Sequence, residues 1–278
     1  MNLHVRPPLS DEWPICRMLL PETFAEASQR EYLLCLRDES PRIVGAASFR
    51  RGADAVTHLR VHVVSSFRRR RIGSQIVAYI ARSGVRALGG NCETVSEPAA
   101  APFCERNRFQ RADALTTVEG EIAGMREYMC HLRTRVPGGF EACTVPLSAV
   151  PVEQVAQLHS QYVAHQSELN PWRGLLADAP GMNHSPVVLL GGRVVGILLW
   201  ELQGATAVVR SRVAVPGPHG KWVNVILLAA GLDGAWAQGA RRVRFSYTDT
   251  NRDTRKLALR FKAEVASVLV EYRREIAG

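Results

Sequence analysis

The segment R-I-V-G at Arg42–Gly45 returns as R-V-V-G at Arg193–Gly196, 151 positions later. The same offset pairs Val64 with Val215, Arg68 with His219, Gly73 with Asn224 and Ile76 with Leu227. About 45 residues therefore align without a gap, the length of a repeat unit and not of a chance match. Each stretch reads as an apolar strand, a short turn, an alternating strand, a polar loop and a helix. A shared order of elements at constant spacing marks a duplication. With 278 residues the chain has room for two domains of ordinary size. The expected division is 1–136 and 140–278, on either side of the V-P-G-G turn at Val136–Gly139.

Periodicity supplies the elements. In the first half, strands are expected at Leu3–Arg6, Tyr32–Arg37, Arg42–Arg50, Ala55–Val64, Asn91–Val95 and Arg111–Ile122. Helices are expected from Ser10, over Ile72–Ala87 and over Ala99–Arg106, with Gly89 and Gly90 ending the second. The second half repeats the outline. Strands are expected at Thr144–Leu147, Pro186–Leu190, Arg193–Leu202, Ala205–Val215, Val243–Thr248 and Ser267–Arg273. Its helices are expected at Val152–His165, Val223–Gln238 and Thr254–Phe261, and Gln166–Ser185 is a long stretch of weak pattern. The fold class is α/β (α+β): two tandem domains, each a mixed, mostly antiparallel twisted sheet flanked by helices.

Apolar residues at 46% and charged residues at 22% are globular composition. No run reaches the roughly 18 apolar residues that span a bilayer, and the N-terminus lacks a secretion h-region, so a cytoplasmic protein without membrane partner is expected. Six cysteines without C-x-x-C spacing point to reduced thiols, neither a zinc site nor a disulfide framework. His58 and His62 would share one strand face, but no third ligand stands near, so no metal is expected. The net charge of +9 divides almost evenly between the halves, with no basic tail. Polyanions are thus the partners to consider.

The segment Val61–Ser74, V-H-V-V-S-S-F-R-R-R-R-I-G-S, places a basic, glycine-containing loop between a strand and a helix start. That is an anion cradle. The first helical turn leaves N–H groups unpaired and carries partial positive charge, a glycine admits a phosphate close to the backbone, and arginines add fork-shaped donors. The loop resembles that of the Gcn5-related N-acetyltransferase family (GNAT), whose pyrophosphate motif is [QR]-x-x-G-x-[GA]. Here it is Arg68-Arg69-Arg70-Arg71-Ile72-Gly73, followed by Ser74, with Arg71 in place of the first glycine. The change is compatible with the motif if Arg71 keeps ordinary helical φ/ψ. The resemblance implies that Val61, His62 and Val63 pair with the pantetheine arm of acetyl-CoA, a co-substrate. It implies that Arg69, Arg70, Arg71, Ile72, Gly73 and Ser74 hold the pyrophosphate.

A second matching segment, A-P-F-C-E-R-N-R-F at Ala101–Phe109, is similar to the family's A-x-x-[FL]-Y-E-[KR]-x-G-F. Cys104 falls where many members carry the tyrosine that protonates the departing thiolate, and Arg108 falls at the usual glycine. A thiol could give that proton, or Cys104 is a packed core thiol. Glu93 stands near the place where some members keep a glutamate general base, one position from the simplest alignment. On a strand, one step reverses the face.

The second half keeps the outline and loses the loop: V-P-G-P-H-G-K-W-V-N at Val215–Asn224 has His219 for the arginine, Trp222 for the first glycine and Asn224 for the second. Pro216 and Pro218 lack donor N–H groups. Its cofactor loop is read as degenerate. The resemblance implies an acyl-CoA-dependent N-acyltransferase whose acceptor is a small-molecule or peptide amine. Two other readings stand beside it: a non-catalytic CoA-binding or interaction protein, and a nucleic-acid binder using Arg68–Arg71. The last is disfavoured, because only Phe67 adjoins the arginines as a stacking partner.

Overall fold

The computed structural model describes residues 3–20, 31–37, 40–93, 98–151, 153–155, 158, 182–215, 217 and 219–276. The chain divides into two compact units, Met1–Ala114 with Val268–Gly278, and Leu115–Ser267.

Unit 1 holds β1 (Leu3–Arg6), α1 (Trp13–Leu19), β2 (Glu31–Arg37), β3 (Ser40–Arg51), β4 (Ala55–Val63), α2 (Ile72–Ala81), β5 (Ala87–Glu93) and α3 (Ala100–Arg106). Its sheet runs β1-β2-β3-β4-β5 and is closed by β12 (Glu264–Glu275), the last strand of the chain, antiparallel to β5. All neighbours are antiparallel except β4 and β5. Unit 2 mirrors this with β7 (Ala142–Pro146), β8 (Pro186–Leu190), β9 (Arg193–Gln203), β10 (Thr206–Ala214) and β11 (Arg242–Thr248). Its sheet is closed by β6 (Gln110–Glu121), antiparallel to β11, and β10 and β11 are its parallel pair. Its helices are α4 (Ile122–Arg133), α5 (Gly220–Ala237) and α6 (Arg252–Arg260).

The division expected at Val136–Gly139 is therefore corrected. Each half of the sequence sends its terminal strand to the other unit's sheet, β6 to unit 2 and β12 to unit 1. The V-P-G-G turn lies inside unit 2, between α4 and β7. Alternation of apolar residues tells which face a strand buries, not which edge it joins.

The duplication itself is exact in register. Gly45 pairs with Val63 in unit 1, and Gly196 pairs with Ala214 in unit 2, each 151 positions on. A Cβ on Gly45 would lie 3.3 Å from both Ile72 and Ile76, and one on Gly196 would lie 2.5 Å from Val223 and 2.8 Å from Leu227. In both units, then, a helix rests on the same backbone glycine through the same two positions. The helix α2 forms because Ile72, Ile76, Val77 and Ile80 share one buried face. Each such side chain stabilises by roughly 1.5–3 kcal/mol. Strand β2 is apolar on both faces because α2 covers one side and α1 the other, where Cys16 and Leu20 pack on Tyr32, Leu34 and Leu36.

Two expected elements change and one is added. Helix α2 stops at Ala81, six residues short, where Ser83 and Gly84 (φ +83°) turn the chain. Gly89 and Gly90 are strand residues of β5: a Cβ on Gly90 would lie 2.5 Å from the Leu59 carbonyl oxygen, so glycine is what lets β5 approach β4 there. Helix α4, with Ile122, Met125 and Met129 buried, has no counterpart in the expected elements. Of the expected helix Val152–His165, Glu153–Val155 and Leu158 are helical and the remainder lies outside the described residues, as does nearly all of Gln166–Ser185.

Candidate functional site

In unit 1 the parallel ladder between β4 and β5 consists of Ala55↔Ala87 and Val56↔Leu88. It ends because β4 bulges. His58 takes φ +52°, and the register with β3 jumps from Arg50↔Thr57 to Ser48↔Arg60. The bulge bends β4, and among the described residues the parallel pairing with β5 does not continue beyond Val56. It also breaks the alternation that would have set His58 and His62 on one face.

Beyond Val63 the chain makes one 3-10 turn, Ser65–Phe67, and then the arginine loop. Arg68 Nε donates to the Val63 carbonyl at 3.2 Å. Phe67 is buried beneath two cations, with the Arg42 and Arg70 guanidinium carbons 5.4 and 5.6 Å from its ring centre. Arg68, Arg69, Arg70 and Arg71 are exposed, and among the described residues none of them forms an ion pair. Arg69 (φ +63°) and Arg71 (φ +61°, ψ +13°) are left-handed, and Arg71 is the N-cap of α2. The expectation of ordinary helical φ/ψ at Arg71 is thus corrected. A left-handed residue followed by helical ones turns successive N–H groups into one concavity, which favours an anion. Each left-handed arginine costs about 1 kcal/mol.

Gly73 also has a different reason from the one expected. A Cβ there would lie 2.7 Å from Cε2 of Phe103 and 3.6 Å from Val61, so the space is taken by the Phe103 ring of α3. The glycine locks α3 against the first turn of α2.

Cys104 lies on α3, half-buried, and hydrogen-bonds Cys92 of β5. That bond, followed by burial, pushes the Cys104 thiol far above its ordinary range. A thiol held so firmly is a poor proton donor to another thiolate. Tyr272 of β12 is buried in the same cluster, opposite Gly90, and feels the charges of Cys92, Cys104 and Glu105. Burial raises its phenol, so the proton stays on at neutral pH. Tyr272 could not be placed here from its sequence position, since it arrives on the last strand of the chain. Glu93 is the final residue of β5, paired with Leu269.

Unit 2 opens in the same way. The ladder of β10 and β11 ends at Val208↔Arg244, and β10 bulges between Val209 and Ser211. Its helix differs. α5 begins at Gly220, so Asn224 sits in the second turn and returns its amide to the Gly220 carbonyl at 2.9 Å. The equivalence of Asn224 with Gly73 is therefore one of packing, not of a phosphate-facing turn. At the start of α5, His219 stacks on Phe140, ring centres 5.4 Å apart.

Residues 2–108 match the acetyltransferase (GNAT) family. That match takes in somewhat under half of the chain. Its fold extends the likeness to the whole length. A GCN5-related N-acetyltransferase from Sphaerobacter thermophilus is 14% identical, with 99% of this chain and 96% of that one covered and a TM-score of 0.58. A tandem GNAT protein from the clavulanic acid biosynthesis pathway is 17% identical, covering 100% and 99%, with a TM-score of 0.58. A conserved protein from Enterococcus faecalis V583, described as a probable N-acyltransferase, is 10% identical over 99% and 73%, with a TM-score of 0.59. At such identities the likeness is one of fold. Among curated proteins no sequence matches significantly.

The GNAT motifs explain where the backbone strain falls. Arg71 and Arg108 occupy the two positions where the family motifs carry glycine, and both are left-handed, Arg108 with φ +62°. The donor set fits a polyphosphate: arginines without counter-charge, converging N–H groups and a helix N-terminus. Among the described residues no group of three or more metal-ligating side chains occurs, and no helix is long and apolar enough to cross a membrane.

Proposed function

We propose that unit 1 catalyses transfer of an acyl group, acetyl in the simplest case, from acyl-CoA to the amine of a small molecule or peptide. The observation that carries this reading is the junction of two features on one strand: β4 loses its ladder with β5, and it leads directly into the arginine loop and α2. When bound, acetyl-CoA supplies the activated acyl group as a thioester. The backbone of Val61, His62 and Val63 would hydrogen-bond the amides of its extended arm, and Arg69, Arg70, Arg71, Ile72, Gly73 and Ser74 would hold its pyrophosphate. A backbone amide near Val63 polarises the carbonyl under attack. Glu93, at the open end of β5, is the candidate to accept the amine proton. Cys104 keeps its own proton, and Tyr272, buried beside it, is a second candidate to donate one. Positioning supplies most of the rate.

The proton held on Cys104 favours one other reading, a unit that binds CoA without transferring. Incubation of the full chain with acetyl-CoA and a panel of amines, monitoring free thiol, separates the two. Amine-dependent thiol release is expected. CoA binding by calorimetry without release from any amine would leave the binding protein, and no CoA binding would overturn both readings.

A further inference from the structure

Unit 2 contains a charge, on Arg212, that no described residue meets with an ion pair. Arg212 lies on β10, 151 positions after Val61, where the first copy of the repeat keeps an apolar side chain. Its partner in the ladder is Leu198, which packs with Val223 and Leu227 of α5, so Arg212 faces the side of the sheet covered by helices. It stands just past the bulge at which β10 leaves β11. Its Nη2 donates to Thr254 Oγ1 at 2.8 Å, in the first turn of α6. The guanidinium is sunk deep in the unit yet keeps a partial opening to solvent. Burial lowers its pKa, and the charge of Asp253 works against that, but among the described residues Arg212 forms no ion pair.

Three physical costs converge here. A guanidinium largely withdrawn from water, with Asp253 near it but not in ion-pair contact, is costly. One hydroxyl satisfies one of its five donor hydrogens. It also sits against the N-terminal turn of a nine-residue helix, whose partial positive charge repels it. All three costs vanish when an anion joins the guanidinium to that turn. We infer that Arg212, Thr254 and the first turn of α6 form a binding site for a monoanionic carboxylate within unit 2. A dianionic phosphate is disfavoured by Asp253, whereas a carboxylate matches one planar fork. Ala214, half-buried two residues on from Arg212 along the same face, suits the apolar body of a short organic acid. This site stands apart from the acyl-transfer reading of unit 1 and survives its failure.

The test uses the full chain in a carboxylate-free buffer, with butanoate as probe, butyramide as its neutral counterpart and inorganic phosphate as the competing anion. Melting of the native protein should rise with butanoate concentration, as linkage to folded-state binding requires, and not with butyramide. Arg212→Met should melt higher than the native protein in plain buffer, because it removes an unbalanced charge, and should lose the butanoate shift. Arg212→Lys, which keeps charge without the fork, should reduce the shift by half or more. The site is refuted if Arg212→Met melts lower in plain buffer, which would mean that the chain itself supplies the partner. It is equally refuted if butanoate shifts the native protein and Arg212→Met alike, or shifts neither. A phosphate shift larger than that of butanoate overturns the carboxylate assignment.

Discussion

Replacing Arg71 by glycine and, separately, by alanine divides its conformational role from its chemical one. In the left-handed conformation, φ +61° and ψ +13°, any side chain costs about 1 kcal/mol that glycine does not incur. Glycine gives back some 0.5–1 kcal/mol through the freedom of the unfolded chain. Arg71→Gly should therefore stay within about 0.5 kcal/mol of the native stability and equal or exceed Arg71→Ala. An ordinary helical conformation predicts the opposite order, with glycine about 1 kcal/mol worse than alanine. Affinity should fall in both. A guanidinium on a phosphate is worth roughly 1 kcal/mol at an exposed loop, so the Kd for CoA should rise about fivefold in each variant. Urea denaturation reads the first effect and calorimetry the second. Glycine less stable than alanine by about 1 kcal/mol would refute the strained backbone. Unchanged CoA binding in both would refute the place of Arg71 in the cradle.

Gly73→Ala puts a methyl 2.7 Å from the Phe103 ring and should cost about 1–3 kcal/mol of stability, as overpacking does, with Phe103→Leu restoring part of it in the double variant. A chain ending at Ser267 loses the part of β12 that closes the unit 1 sheet, with Tyr272, and should show no CoA binding by calorimetry. Because the Cys104 pKa is raised on folding, the unfolded chain releases that proton first as pH rises past about 9, and native stability should then fall with pH. Cys104→Ala should flatten this alkaline limb in melting curves, with turnover per folded molecule unchanged if the thiol is only packed. CoA binding should weaken modestly with salt, whereas a duplex binder would lose roughly 0.9 log units per phosphate contact per decade, measurable by fluorescence anisotropy.

The two halves of the repeat were legible because strand and helix must meet at fixed points. Gly45 and Gly196 are small beneath helices, and the residues above them, Ile72 with Ile76 and Val223 with Leu227, recur at the same interval. Strand alternation and the i, i+4 face of α2 carry that geometry directly in the order of residues. The arginine loop was legible as a candidate anion site for the same reason: its donors are local. What could not be read was non-local or conformational. The φ of Arg71 is set by the turn it caps, and arginine gives no sign of it. The cluster of Cys92, Cys104 and Tyr272 needs β12 beside β5, a pairing across about two thirds of the chain. Helix α4 was legible in principle, since Ile122, Met125 and Met129 keep helical spacing behind a strand that ends one residue earlier.

Duplication preserves packing far longer than chemistry, and the paired positions show how. Gly45 and Gly196 face the same pressure, a helix in contact, and a Cβ would crowd both, more severely at Gly196. Val61 and Arg212 share a ladder position but not a helix partner: Val61 meets the Gly73 turn, while Arg212 meets Thr254. Gly73 and Asn224 share an offset but not a turn, because α5 begins three residues before the position equivalent to Ile72. Starting the helix earlier moves the free N–H groups to Gly220, Lys221 and Trp222, next to the stacked His219 and Phe140. The loop proposed to cradle an anion in unit 1 thus has no counterpart of the same shape in unit 2, even though the sheet beneath it is the same. Any ligand of unit 2 must be recognised by other groups, and among the described residues the one cation sunk in its opened sheet is Arg212.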